Sequence, residues 1–137
     1  MHLNKGYLPG PFGQIHYYEL GEGMPLVLAH QSPVCGRQFE RAMPLLANAG
    51  LRAIAVDTPG FGMSDLPSEP PEVAGYADAF LSVLDGLGID RAQLLGHHTG
   101  AAILCNFAAR YPARVDKLIL NGVPLFTPAE LEQFRAL

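Results

Sequence analysis

The chain reads as an α/β domain, a three-layer sandwich around a mostly parallel sheet, and three observations predict it. Short continuous apolar runs, such as Leu26-Val27-Leu28-Ala29 and Ala53-Ile54-Ala55-Val56, alternate with segments of helical periodicity. Runs of that length without polar alternation suit parallel strands covered on both faces. Each run stops at a polar or glycine-rich turn: His30 to Pro33, Asp57 to Gly62, His97 to Gly100 and Asn121 to Pro124. In open α/β sheets such turns gather beyond the carboxyl ends of the strands, where ligands bind.

The elements follow in order. Gln14-Ile15-His16-Tyr17-Tyr18-Glu19-Leu20 alternates well enough for a strand, and Gly10-Pro11 with Gly13 marks a turn before it, so the chain opens on a hairpin. Leu26 to Ala29 is the first buried strand. Phe39, Met43, Leu46 and Ala47 share a helical face closed by Gly50, and Pro44 within it predicts a kink or a short first turn. Arg52 to Asp57 is a second buried strand, and the prolines between residues 66 and 72 make an irregular connection. Val73, Tyr76, Ala77, Phe80, Leu81, Leu84 and Leu87 repeat with the strongest helical period in the chain, ended by Gly86 and Gly88. A strand from Gln93 leads into a turn and a helix that stops near Tyr111-Pro112, because the residue before proline is pushed out of the helical region. Lys117-Leu118-Ile119-Leu120-Asn121 is a further strand, and Pro128 with Glu130, Leu131 and Phe134 begins a last helix.

Size and charge narrow the function. With 137 residues and 49% hydrophobic content, one core is expected, so residues 1–137 are read as a single domain. The net charge of -4 comes without a basic run, which argues against nucleic acid and against anionic membrane surfaces. The two cysteines, Cys35 and Cys105, have no CxxC spacing, so a reducing, cytoplasmic setting is expected rather than a disulfide framework. The first residues lack the apolar stretch of a signal peptide, and no run reaches the roughly 18 residues of a membrane span.

The informative stretch is Gln93-Leu94-Leu95-Gly96-His97-His98-Thr99-Gly100. A strand that reverses into a helix within five residues pushes its apex side chain outward and leaves no room for neighbouring Cβ atoms, which Gly96 and Gly100 lack. The apex, His98, is expected at positive φ, where His is among the enriched residues. The layout is that of a nucleophile elbow, Gly-x-Ser-x-Gly, with histidine at its centre.

Taken with His30-Gln31-Ser32-Pro33 after the first buried strand, Asp57-Thr58-Pro59-Gly60-Phe61-Gly62-Met63-Ser64-Asp65, Leu87-Gly88-Ile89-Asp90 and Tyr111-Pro112-Ala113-Arg114-Val115-Asp116, the elbow makes the chain resemble the first half of the α/β-hydrolase superfamily over nearly its whole length. The resemblance implies a partial α/β-hydrolase fold. It also implies an oxyanion hole formed by the backbone N–H of Thr99 and an N–H at Gln31 or Ser32, with His30 beside them. His98 departs from the family's Ser, Asp or Cys, and Gln31 from its glycine. The strands that carry the family's acid and base histidine have no expected counterpart, and the cap is absent or barely begun at 126–137.

Two functional readings follow. In the first, His98 serves as nucleophile or general base in hydrolysis of a small ester or carbonyl substrate, with the Thr99 and Ser32 N–H groups holding the developing oxyanion. In the second, the chain is an inactive fragment or remnant acting as a small-molecule binder or an assembly module. The strand at 117–121 would then be a bare edge that recruits a second copy into a homodimer. No cofactor is expected. A metal site of His30, His98 and Asp57 lacks ligand spacing. Asp57, Ser64 and Asp65 read as braces of the loop beneath the site, His97 as a satisfied polar residue, and Cys35 as a small pocket or packing residue. Cys105, Tyr76 and Phe80 read as core.

Overall fold

The computed structural model describes residues 2–136. Strands β1 (Asn4–Gly10) and β2 (Gly13–Leu20) form the expected hairpin, followed by β3 (Met24–Ala29), α1 (Met43–Asn48), β4 (Leu51–Val56), α2 (Val73–Gly86), β5 (Ala92–His97), α3 (Thr99–Arg110), β6 (Val115–Asn121) and α4 (Pro128–Arg135). Short 3-10 turns precede α1 at Gly36–Phe39 and β6 at Pro112–Arg114. The six strands lie in one sheet in the order β1-β2-β4-β3-β5-β6. The pairings among β4, β3, β5 and β6 are parallel, and the hairpin adds its two strands antiparallel at the other edge.

Two apolar layers follow from the strand period of two. Val27, Ala29, Ile54, Val56 and Leu94 face Ala77, Phe80, Val83 and Leu84 of α2 and Ile103, Leu104 and Phe107 of α3. Leu26, Leu28, Ala53 and Ala55 face the opposite way, onto Phe39 and Met43. Adjacent residues of one apolar run thus serve opposite cores, which is why β3 and β4 carry no polar alternation. The result is the predicted three-layer α/β sandwich.

Pro44 sits in the first turn of α1, where its missing N–H costs nothing, and Phe39 belongs to the separate 3-10 turn rather than to the helix. Residue Phe80 is fully buried, as expected. Two side chains differ from their expected places. Cys105 is exposed, because it lies off the Ile103, Leu104, Phe107 stripe that α3 turns to the sheet. Tyr76 is half-buried: it packs against the α2 and α3 core, yet it also lines a cavity at the carboxyl ends of the strands. At the far edge, β6 leaves most of its residues exposed, including Ile119 and Leu120. Among the described residues, no helix is long and apolar enough to cross a membrane.

Candidate functional site

The turn between β5 and α3 is as tight as its glycines require. A Cβ on Gly96 would lie 2.5 Å from Ala101 Cα, and one on Gly100 would overlap the Ala29 carbonyl where β3 ends. Both obstacles are backbone, so neither yields to a side-chain rotation. Between the two glycines His98 takes φ 53° and ψ -114°, and among the described residues it is the one non-glycine at positive φ. Its N–H donates to the Asn121 carbonyl at 2.9 Å, and its carbonyl accepts from Ala101 N–H at 2.9 Å, starting α3. The apex is therefore held from both sides, by the end of β6 and by the helix it begins. Its imidazole is exposed to solvent.

Beside the apex, the loop after β3 meets the start of α3. Ser32 N–H donates to Thr99 Oγ1 at 2.7 Å, and Thr99 Oγ1 donates in turn to Ser32 Oγ at 3.2 Å. Gln31 N–H donates to Gln38 Oε1 at 3.1 Å. Residues 31, 32 and 99, far apart in sequence, are thus brought together. The two loop N–H groups expected as oxyanion donors each have a side-chain partner, so a bound oxygen has to displace the Thr99 hydroxyl to reach Ser32 N–H. The Thr99 N–H belongs to the first turn of a helix, whose amides have no partner within the helix and face the positive end of its dipole.

His30 forms the floor. It is 1% exposed. Its Nδ1 donates to the Gln31 carbonyl at 2.8 Å, while Nε2 accepts from Thr58 N–H at 3.1 Å and lies 3.0 Å from Thr58 Oγ1. Because a backbone N–H can only donate, Nε2 carries the lone pair and the ring is the neutral Nδ1–H tautomer. Burial also pushes its pKa below the ordinary imidazole value. Its polar atoms are spent on the loops, and its ring meets Phe61 edge-on at 5.7 Å.

A cavity of about 150 Å³ opens here, bounded by His30, Ser32, Thr58, Phe61, Val73, Tyr76, Thr99, Ala102 and Ile103. Its walls are chiefly apolar, and an apolar space of that volume holds a molecule about the size of benzene. His98 stands next to the cavity and does not line it, whereas Thr99, the following residue, does.

Beneath the site, Asp57 is fully buried and its carboxylate accepts from Gly36 N–H at 2.7 Å, Met63 N–H at 2.9 Å and His16 Nδ1 at 2.9 Å. Ser64 Oγ donates to the Asp57 carbonyl at 2.6 Å, and Asp65 Oδ2 accepts Gln14 N–H at 2.7 Å. Asp57, Ser64 and Asp65 therefore brace the loop beneath the site. His16 carries no signal of this role in the sequence, since its period-two position within β2 gives no sign of a partner 41 residues away. His97 is half-buried with Nδ1 at 2.7 Å from Gln38 Nε2, a partner also not anticipated. Cys35 is half-buried on the far side of this loop, near His16 and Tyr18 rather than in the cavity.

Known proteins share this fold. The α/β-hydrolase fold model matches residues 24–137. The mouse bifunctional epoxide hydrolase 2 is 35% identical over 132 residues, which are 92% of this chain and 23% of that protein. The 2-hydroxy-6-oxo-6-phenylhexa-2,4-dienoate hydrolase of Comamonas testosteroni is 38% identical over 112 residues, 79% of this chain and 39% of that protein. Among solved structures, an epoxide hydrolase from Vigna radiata superposes with TM-score 0.88 at 21% identity, over 98% of this chain and 46% of the other. A meta-cleavage product hydrolase from Pseudomonas fluorescens, complexed with acetates, gives 0.77 at 28% identity, over 84% and 43%. The chain therefore spans less than half the length of each of these relatives.

Proposed function

The chain belongs to the α/β-hydrolase fold family, and on that premise we propose that it carries the elbow half of a hydrolase acting on a small ester or carbonyl substrate, with His98 as the reacting side chain. The observation that carries the reading is the backbone of His98 itself. A φ of 53° and ψ of -114° costs a non-glycine residue about 1–3 kcal/mol, and such strain persists where the surroundings over-determine it, as at sites of chemistry. Among the described residues no side-chain hydrogen bond rewards the ring for standing there, so what the strain secures is its presentation at the mouth of the site.

The chemistry follows from the neighbours. The acyl or carbonyl end of the substrate lies in the apolar cavity between Phe61 and Tyr76, with its oxygen toward the Thr99 N–H. To gain a second donor, that oxygen replaces the Thr99 hydroxyl at Ser32 N–H. Neutral His98 takes a proton from water as the water oxygen attacks the carbonyl carbon, and negative charge builds on the oxygen facing the two amides. Collapse of the tetrahedral adduct expels the leaving group, which takes the proton back from the imidazolium. Cavity size favours short acyl groups.

A second reading has its own observation: the cavity is lined by Thr99 and not by His98, and both loop amides are already paired. A chain so arranged binds a small apolar molecule without turning it over. Self-association through β6 belongs with this reading, since that strand is the sheet edge among the described residues and exposes Ile119 and Leu120. Light scattering across the micromolar range is expected to show a dimer, and a strictly monomeric species removes that part. Incubation with p-nitrophenyl acetate separates the two readings. Hydrolysis expects many product molecules per chain with saturation; saturable binding without turnover contradicts it and supports the binder.

A further inference from the structure

Gln38 lies in the 3-10 turn Gly36–Phe39 and takes no part in the mechanism above. Its amide oxygen accepts Gln31 N–H at 3.1 Å, and its amide nitrogen lies 2.7 Å from His97 Nδ1. The two ends of a carboxamide cannot be exchanged here. A backbone N–H only donates, so the oxygen must face Gln31. The NH2 group also only donates, so His97 Nδ1 must accept, and the hydrogen of the neutral ring sits on Nε2. Were Nδ1 protonated, two donors would face each other, and turning the amide over would only move the clash to Gln31. One side chain thus couples the loop after β3 to the residue that precedes the apex.

We infer that Gln38 is a positioning residue of the proposed site: its amide holds the Gln31 loop against the His97 ring, keeps His97 as the Nε2–H tautomer, and takes Gln31 N–H out of the oxyanion hole. Of the two loop amides expected as oxyanion donors, Ser32 N–H is then the one left to turn to a substrate. The inference rests on the functional reading above for its catalytic consequence, and on geometry alone for the bridge.

The bridge is read by nitrogen-15 NMR of the imidazoles and by exchange of the Gln31 amide hydrogen. In the wild type, His97 carries its hydrogen on Nε2 and the Gln31 amide is protected. Gln38→Glu keeps an acceptor for Gln31 but presents an acceptor to the ring as well. His97 is then expected to gain a hydrogen on Nδ1, while Gln31 stays protected. Gln38→Ala removes both partners, so the Gln31 amide exchanges at least about tenfold faster. Against p-nitrophenyl acetate, Gln38→Ala is expected to lower kcat by about tenfold with KM changed less than about twofold, because a displaced loop acts on the oxyanion and not on the acyl cavity. His97 signals that are the same in the wild type and Gln38→Glu overturn the bridge, and an unchanged kcat in Gln38→Ala overturns the positioning role while leaving the proposed function standing. Absence of turnover in the wild type overturns the proposed function and with it the catalytic role of Gln38, and the bridge is then decided by the spectra.

Discussion

Replacing His98 with glycine should make the protein more stable, and replacing it with alanine should not. The apex sits at φ 53°, ψ -114°, a conformation that is strained for any residue with a Cβ and open to glycine. Relief of that strain amounts to about 1–3 kcal/mol. Against it stands the greater freedom of glycine in the unfolded chain, about 0.5–1 kcal/mol. The ring is exposed and makes no side-chain hydrogen bond among the described residues, so its removal forfeits little burial. The net expectation for His98→Gly is a gain of about 1 kcal/mol at the middle of these ranges and about 2.5 kcal/mol at most, or about 4–9 °C in Tm for a chain of this size. His98→Ala keeps the Cβ and the strain, so the difference between the two variants isolates the backbone term. Urea denaturation of the wild type and both variants measures it through the midpoints at a common slope. A His98→Gly no more stable than His98→Ala refutes the claim that the apex is strained.

Other expectations follow from neighbouring groups. Gly100→Ala sets a Cβ into the Ala29 carbonyl, and a loss of more than about 2 kcal/mol is expected by the same denaturation assay; a loss below about 0.5 kcal/mol contradicts the close approach of α3 to β3. Asp57→Asn turns an amide nitrogen toward at least one of the donors Gly36 N–H, Met63 N–H and His16 Nδ1, leaving a buried donor unpaired, and should cost about 1–3 kcal/mol. Burial lowers the pKa of His30 in the folded state, so below the unfolded value of about 6.5 the unfolded chain binds the extra proton. The stability tied to a neutral His30 is complete above that pH and lost as pH falls toward the folded value, with a slope of at most about 1.4 kcal/mol per pH unit. His30→Gln should flatten the urea midpoint between pH 7 and 5; an unchanged pH dependence contradicts this assignment.

Local signals in the sequence were enough for the sheet and for the bend at its centre. Leu26 to Ala29 and Ala53 to Val56 announce strands covered on both faces because each run has to serve two cores, and the structure divides their side chains between those cores by the period of two. Gly96 and Gly100 announce the tight strand-to-helix turn because two backbone segments leave no space for a Cβ at either position. The bracing role of Asp57 was legible from its place at the end of a buried strand. Its partner His16 was not, since the two are 41 residues apart and only the pairing of β2 with β4 brings them together. The same holds for Gln38 and His97, 59 residues apart. Spacing along a chain reports period and turn chemistry within one element, and hydrogen bonds between elements depend on how the sheet is ordered. Cys105 misled for a smaller reason: its apolar neighbours suggested core, but the stripe that α3 buries passes it by. Tyr76 was assigned only to the core because helical period shows which face is inward, without showing that the inward face also borders a cavity.

The rate of p-nitrophenyl acetate hydrolysis by the wild type and His98→Ala, measured side by side at one pH, tests the role of the apex imidazole most directly. A general base contributes about 10²–10⁴-fold, so kcat is expected to fall by at least about a hundredfold while the variant keeps the wild-type fold and urea midpoint. Turnover by His98→Ala equal to that of the wild type contradicts the proposal, because the side chain at the apex of the β5–α3 turn would then have no part in the chemistry.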